Sequence, residues 1–290
     1  MQPFRYEAPP SLDAALMLLT DPRSRVLAGG TDLLVQLRSG LAPPTAVVDV
    51  KAIPELRVVE VTPEGLRLGA AVSCWELSEH EEVRRAYPGL TEAAELIGSM
   101  QIQSRATLGG NLCNGSPAAD TTPALLALGA QCVVRGPRGE RRLPVDEFVL
   151  GPGRTALEPG ELLVELRVPR LPRAAADAYL RFIPRGEMDI AVVGAAAVVE
   201  LADDGRCRAA RIALGAVAPT AILVPEAAQT LVGTALTADD LERAAAAAGQ
   251  AGDPISDKRG PAAYRRRLAS VLTRRVLALA ALRAREAGSR

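Results

Sequence analysis

The stretch at residues 107–120, TLGGNLCNGSPAAD, limits what this chain can fold into more than any other. Two adjacent glycines are followed by Asn111, Asn114, Gly115, Ser116 and Pro117, and then by Asp120. Such a run is too rich in small polar residues for a core element and too short for a linker. Glycine lacks a Cβ, so a ligand can approach the backbone and meet its N–H groups. Thr107, Asn111, Asn114 and Ser116 add neutral hydrogen-bonding groups. A set of this kind suits a phosphate or pyrophosphate. Asp120 cannot serve that end, because a carboxylate repels phosphate. Its use is to accept from ribose or ring hydroxyls, or to cap the helix that follows.

A lone Gly-Gly pair is more often a tight turn than a ligand site. A second pair, in residues 27–34 (LAGGTDLL), changes the weighing. It also follows a short apolar run and opens a helical pattern through Leu33, Leu34 and Leu37. Two Gly-Gly loops, each passing into a helix, predict a clamp on a dinucleotide from two sides. Neither loop has the G-x-G-x-x-G spacing or the Lys-[Ser/Thr] ending of a P-loop, which disfavours both of those folds.

Residues 28–34, AGGTDLL, and 101–120, QIQSRATLGGNLCNGSPAAD, together resemble the FAD-binding medium subunit of the molybdenum hydroxylases. That family includes carbon monoxide dehydrogenase and bacterial xanthine dehydrogenase-type enzymes. The resemblance runs from Met1 to about Leu282, and the second motif is the more specific. It implies an α+β fold: a two-subdomain FAD-binding domain of the p-cresol methylhydroxylase type, then a C-terminal domain of a small antiparallel sheet and helices. The corresponding boundaries are 1–172, with subdomains at about 1–52 and 53–172, and 173–290.

The resemblance also implies a site. Ala28, Gly29, Gly30, Thr31 and Asp32, with Leu33 after them, wrap the pyrophosphate from one side. Thr107, Leu108, Gly109, Gly110 and Asn111 wrap it from the other. Many relatives carry His-Ser or Ser-Asp in place of Thr31-Asp32. Asp120 matches the acid of the family's SP-x-x-D pattern, which contacts the sugar portion. Ile97 and Leu157 match apolar positions that touch FAD. A third stretch, from Tyr179 to Arg185 and on to Asp189-Ile190-Ala191, resembles the family's Y-x-K…R…D-x-A motif. Its lysine lies near the flavin ring; here that position is Arg181, whose alternative is a surface strand residue.

The implied function is electron transfer, with no catalytic residue and no metal ligand on this chain. A molybdenum-cofactor large subunit oxidises the substrate, and a [2Fe-2S] small subunit passes electrons to FAD and on to an external acceptor. A dimer of heterotrimers is expected. The alternative is a stand-alone flavin reductase of the UDP-N-acetylenolpyruvylglucosamine reductase type, which needs its own proton donor and sugar-nucleotide motifs. A scaffold that has lost its flavin is disfavoured by the four intact glycines.

Composition fits these readings. The 290 residues allow two domains. Hydrophobic content is 48% but aromatic content only 3%, so the cores must be built from Leu, Val, Ala and Ile. The formal charge of zero argues against nucleic acid as main partner. Cys74, Cys113, Cys132 and Cys207 contain no C-x-x-C, so no zinc or cluster motif is visible. Scattered thiols, a polar N-terminus and no long apolar run predict a cytoplasmic protein without a membrane span. His80 sits in an acidic run and reads as a surface residue.

Periodicity predicts strands over 4–6, 25–28, 46–50 and 162–168. It predicts hairpins at 56–61 with 66–70, 131–135 with 141–145, and 191–201 with 207–216. Helices are expected at 11–19, from residue 33, from 73 or 74 with Trp75 in the core, from Thr91, at 123–128, 225–231, 238–249 and 261–284. Residues 148–153 read as a loop, 169–176 as a linker, and Arg265-Arg266-Arg267 as a solvated face or subunit contact.

Overall fold

The computed structural model describes residues 3–40 and 43–289. Met1 and Gln2, where the expected resemblance and N-terminal segment begin, lie outside the described residues, as do Leu41, Ala42 and Arg290. Three units follow one another along the chain.

The first is a small α/β unit: β1 (Arg5–Glu7), α1 (Leu12–Leu18), β2 (Arg25–Leu27), α2 (Leu33–Arg38) and β3 (Ala46–Asp49). Its strands are parallel in the order β1-β3-β2, so each connection must cross over, and helices α1 and α2 do so. Ser11 caps α1, its Oγ accepting from Ala14 N–H at 3.3 Å. Leu12, Ala15 and Leu19 on one face pack with Val48, Val50 and Ile53.

The second unit is built on a five-stranded sheet in the order β4-β5-β10-β6-β7, antiparallel throughout. Its strands are β4 (Val59–Thr62), β5 (Gly65–Gly69), β6 (Gln131–Gly136), β7 (Gly139–Pro144) and β10 (Leu162–Pro169). Between β5 and β6 lie α3 (Cys74–Glu79), α4 (Glu81–Ala86), α5 (Pro88–Glu95), α6 (Met100–Gln103), α7 (Leu108–Asn114) and α8 (Thr121–Leu128). Every residue of α8 is buried, which its unbroken apolar sequence requires. Leu77, Leu90, Leu112 and Leu125 share the core with Tyr87, Phe148 and Tyr179, so the few aromatic side chains are concentrated there.

Four local expectations change here. Leu56 lies in a 3-10 turn, Pro54–Arg57, and the strand starts at Val59. Helix α5 opens at Pro88 rather than Thr91, because proline is preset for the first helical position. Trp75 is 38% exposed, while its neighbours Cys74 and Leu77 take the core positions. The loop predicted over 148–153 instead follows a short helix, α9 (Val145–Phe148), and contains β8 (Val149–Gly151), which pairs with β9 (Arg154–Thr155).

The third unit is a four-stranded antiparallel sheet, β11 (Ala175–Phe182), β12 (Val193–Leu201), β13 (Cys207–Gly215) and β14 (Ile222–Leu223). Helices α10 (Pro225–Gln229), α11 (Ala238–Gln250) and α12 (Ala262–Gly288) complete it. Ala195 and Ala197 of the sheet share a core with Ala269, Ala280 and Ala284 of α12. Small side chains on both surfaces let helix and sheet approach closely. The linker expected over 169–176 shrinks, since β10 runs to Pro169 and β11 starts at Ala175. Arg265 corrects another expectation: it is 4% exposed, and its Nη1 donates to Val192 O at 2.7 Å. Arg267 stays exposed. Among the described residues no helix is long and apolar enough to cross a membrane.

The second and third units are joined by buried polar contacts. Asp177 of β11 accepts at 2.9 Å from Leu90 N–H in the first turn of α5, a donor it shares with Tyr87 O. A Cβ on Gly89 would lie 2.7 Å from the Ala178 backbone, so glycine is needed where α5 meets β11. Arg283 of α12 pairs with Glu92 of α5. Ala216, just after β13, donates its N–H to Pro117 O at 2.8 Å.

Candidate cofactor site

The first and second units meet at a cleft of about 480 Å³. Both Gly-Gly loops line it. Ala28, Gly29, Gly30, Thr31, Asp32 and Leu33 come from the β2–α2 connection, and Thr107, Gly109, Gly110 and Asn111 from the start of α7. Ile97 and Leu157 line it as well. Three expected site residues do not line it: Leu108, whose side chain is buried in the core, Asp120 and Arg181.

The four glycines differ in what they allow. A Cβ on Gly29 would stand 2.0 Å from the carbonyl oxygen of Arg105, so the two loops touch through backbone alone. Gly30 has φ of +77°, in the left-handed region that favours glycine. A Cβ on Gly109 would lie 2.5 Å from Ala70 O. Gly110 is the exception. Its Cβ would meet only Thr107 Oγ1, at 2.9 Å, and the rest of its surroundings is open. Three glycines thus serve the loops' packing, and the fourth leaves room on the cleft side.

The backbone donors show what that room suits. Thr107 Oγ1 accepts from Gly110 N–H at 2.9 Å, capping α7. Among the described residues, the N–H groups of Gly29, Gly30, Thr31, Asp32 and Gly109 have no acceptor in the chain. Five donors on one cleft make a cradle for a diphosphate, whose oxygens are acceptors only. Helices α2 and α7 are short, so it is these individual N–H groups, more than a summed dipole, that do the holding. The donor set and the open side of Gly110 fit FAD.

Side-chain contacts tie together the elements around the cleft. Gln36 Nε2 donates to Asn114 Oδ1 at 3.1 Å, linking α2 to α7. Asn111 Oδ1 accepts from Thr121 Oγ1 at 2.7 Å, which ties the second loop to the start of α8. Glu161 is engaged on both oxygens by Arg141, at 2.8 and 2.7 Å, and that pairing holds its carboxyl below the usual range. Burial pushes the Cys113 thiol up to about 12, so it is not a thiolate at neutral pH. Arg25, Gln36 and Glu161 escape sequence reasoning, because no glycine or motif marks them.

Asp120 and Arg181 are brought to each other. Asp120 stands at the N-cap of α8 but makes no capping bond. Its Oδ2 accepts from Arg181 Nη1 at 2.7 Å, and its Oδ1 from Tyr179 Oη at 2.9 Å. The surface alternative for Arg181 is overturned, since its side chain is 5% exposed. Its Nε is buried without a partner. Burial pushes the Asp120 carboxyl up to about 6, against the opposing pull of Arg181 and Tyr179.

Comparison with known proteins agrees with this geometry. The model of the FAD binding domain in molybdopterin dehydrogenase matches residues 2–171, and that of the CO dehydrogenase flavoprotein C-terminal domain matches 178–280. The chain is 34% identical to the 6-hydroxypseudooxynicotine dehydrogenase complex subunit alpha of Paenarthrobacter nicotinovorans, covering 97% of this chain and 96% of that one. It is 35% identical to the putative xanthine dehydrogenase FAD-binding subunit of Escherichia coli, covering 91% of each. The solved structure of reconstituted CO dehydrogenase from Oligotropha carboxidovorans matches with a TM-score of 0.92 at 35% identity, over 97% of this chain and 99% of that one. The chain therefore belongs to the FAD-binding flavoprotein subunits of the molybdenum hydroxylase family, the oxidoreductases of carbon monoxide and xanthine dehydrogenase type.

Proposed function

We propose that the chain binds one FAD noncovalently in the cleft and relays electrons from [2Fe-2S] clusters of a small partner subunit to an external acceptor. A molybdenum-cofactor subunit completes the unit, two such heterotrimers pair, and the assembly works in the cytoplasm. The observation that carries this reading is the cradle of five acceptorless N–H groups lined up by both Gly-Gly loops. The domain division at 172/173 belongs to the same proposal.

When bound, FAD supplies the conversion between one-electron and two-electron transfer. The chain's own residues hold it. Gly29, Gly30, Thr31, Asp32 and Gly109 present N–H groups to the diphosphate, and Ile97 and Leu157 offer apolar contact. Asp120 and Arg181 pair with each other outside the cleft lining, between the second and third units. The stand-alone reductase reading finds no support: Glu161 is committed to Arg141, and the Cys113 proton is held too tightly to serve as a donor.

Two measurements test the proposal. Acid precipitation should release the flavin into the supernatant; yellow colour kept in the washed pellet would refute noncovalent binding. Anaerobic addition of hydroxylase substrates should bleach the flavin only when both partner subunits are present. Rapid bleaching of the isolated chain would refute the relay role.

A further inference from the structure

We propose that Asp177 is a proton-dependent tie between the second and third units: its carboxyl holds β11 against α5 as a neutral acid and loosens that contact when it ionises. The tie lies outside the cleft lining and does not rest on the cofactor reading. Polar residues recur along β11 at Asp177, Tyr179 and Arg181, so they share one face of the strand. That face meets the second unit, since Tyr179 belongs to the same core as Leu90, while Ala176 and Ala178 pack within the third unit. Asp177 is 2% exposed. Its Oδ2 accepts from Leu90 N–H, and its Oδ1 is buried with no partner among the described residues.

The neighbours decide what charge this carboxyl can carry. From α5 it is faced by the Glu92 carboxylate and the N–H groups of Gly89 and Leu90, and from α12 by the Arg283 guanidinium. Tyr87, the residue before α5, also lies within electrostatic reach, and its hydroxyl donates to Pro169 O at 3.1 Å. On β12 the residue opposite is Val198, which carries no charge. Arg283 is already committed. It pairs with Glu92 through Nη2, and its Nη1 donates to Glu92 Oε2 at 3.2 Å and to the backbone oxygen of Asp177 at 3.0 Å. Two carboxyls therefore share one cation. With Asp177 protonated the cluster is neutral. Ionised, it leaves one net negative charge and an unsatisfied oxygen in a buried interface. Burial and the nearby Glu92 push the Asp177 carboxyl up to about 7, against the pull of the Gly89 and Leu90 N–H groups and of Arg283. Arg181 reaches Asp120 from the same strand face, so a loosened Asp177 contact also bears on that pair.

The test uses the full chain between about pH 5 and 7. The folded carboxyl titrates above its ordinary value of 3.8, so its contribution is complete below that value and is lost as pH rises toward about 7. Hydrogen exchange of the Leu90 amide, corrected for its intrinsic rate, follows the contact itself. Its protection in the wild type, taken relative to Asp177→Asn, should fall by about ten-fold per pH unit across that window, the slope for one proton. Asp120 titrates in both chains, so its contribution cancels in the ratio. Carbon-13 NMR of the wild-type Asp177 carboxyl, assigned through its own backbone, needs no variant and should show the group still protonated at about pH 5. An Asp177 carboxyl already ionised there, or a protection ratio that does not change with pH, would overturn the proposal.

Discussion

Gly110→Val is expected to give a folded protein that has lost its FAD, with affinity down by about two orders of magnitude or more, ~3 kcal/mol of binding. The fold should survive because little stands in the way. A Cβ at this position meets only Thr107 Oγ1, at 2.9 Å, and that hydroxyl sits on a rotatable side chain. Gly110 lies in the first turn of α7 and is not among the residues with positive φ. Valine is also the better helix former, by a few tenths of a kcal/mol. The added isopropyl group enters the space next to the acceptorless N–H of Gly109, where the diphosphate is expected. Gly29→Ala makes the contrast. Its Cβ would fall 2.0 Å from Arg105 O, and backbone cannot yield as a side chain does. That variant should lose flavin because the loops separate, with a loss of thermal stability that Gly110→Val does not share. Absorbance of the purified proteins gives flavin per chain, and circular dichroism gives the melting. A Gly110→Val protein with full flavin content would remove this loop from the site.

Elements whose cause is local are legible in the sequence. The hairpins β6–β7 and β12–β13 each have an apolar run before a turn glycine, and Gly139 and Gly205 do carry φ of +97° and +79°. The Gly-Gly loops are legible because glycine is needed there for loop contact and for φ, both of which leave a trace in residue type. Strand β11 is the opposite case. Asp177 and Arg181 interrupt its apolar pattern, so it reads as part linker and part motif. Both side chains are buried because their partners lie far along the chain: Leu90 N–H is 87 positions from Asp177, and Asp120 is 61 from Arg181. Arg265 is hidden in the same way. It stands in a run of three arginines, yet its acceptor at Val192 is 73 positions away. Arg25 is illegible for a different reason. No motif marks it, and only the folded chain brings it to the cleft.

Asp120→Ala is expected to cost ~3–5 kcal/mol of folding stability, against ~0–1 kcal/mol for removing an exposed ion pair. Asp120 and Arg181 have side chains only 10% and 5% exposed. Without the carboxylate, the Arg181 guanidinium stays buried with Nη1 unpaired, beside an Nε that already lacks a partner. The hydroxyl of buried Tyr179 loses its acceptor too. The cost comes from stranding a charge, so deleting both charges should recover much of it. Asp120→Ala with Arg181→Met should be more stable than Asp120→Ala alone. A pH series supplies the second readout. Burial raises the Asp120 carboxyl from 3.8 to about 6, so between these values the folded chain binds more protons than the unfolded one. Ionising this group therefore lowers stability progressively as pH rises through that window, and no further above it. Asp120→Asn has no such term, so the wild type should lose ground to it from pH 3.8 to about 6. Urea denaturation of the flavin-free chains measures both effects without a contribution from lost cofactor. An Asp120→Ala chain within about 1 kcal/mol of wild type would put this pair among the dispensable surface contacts, at odds with its burial.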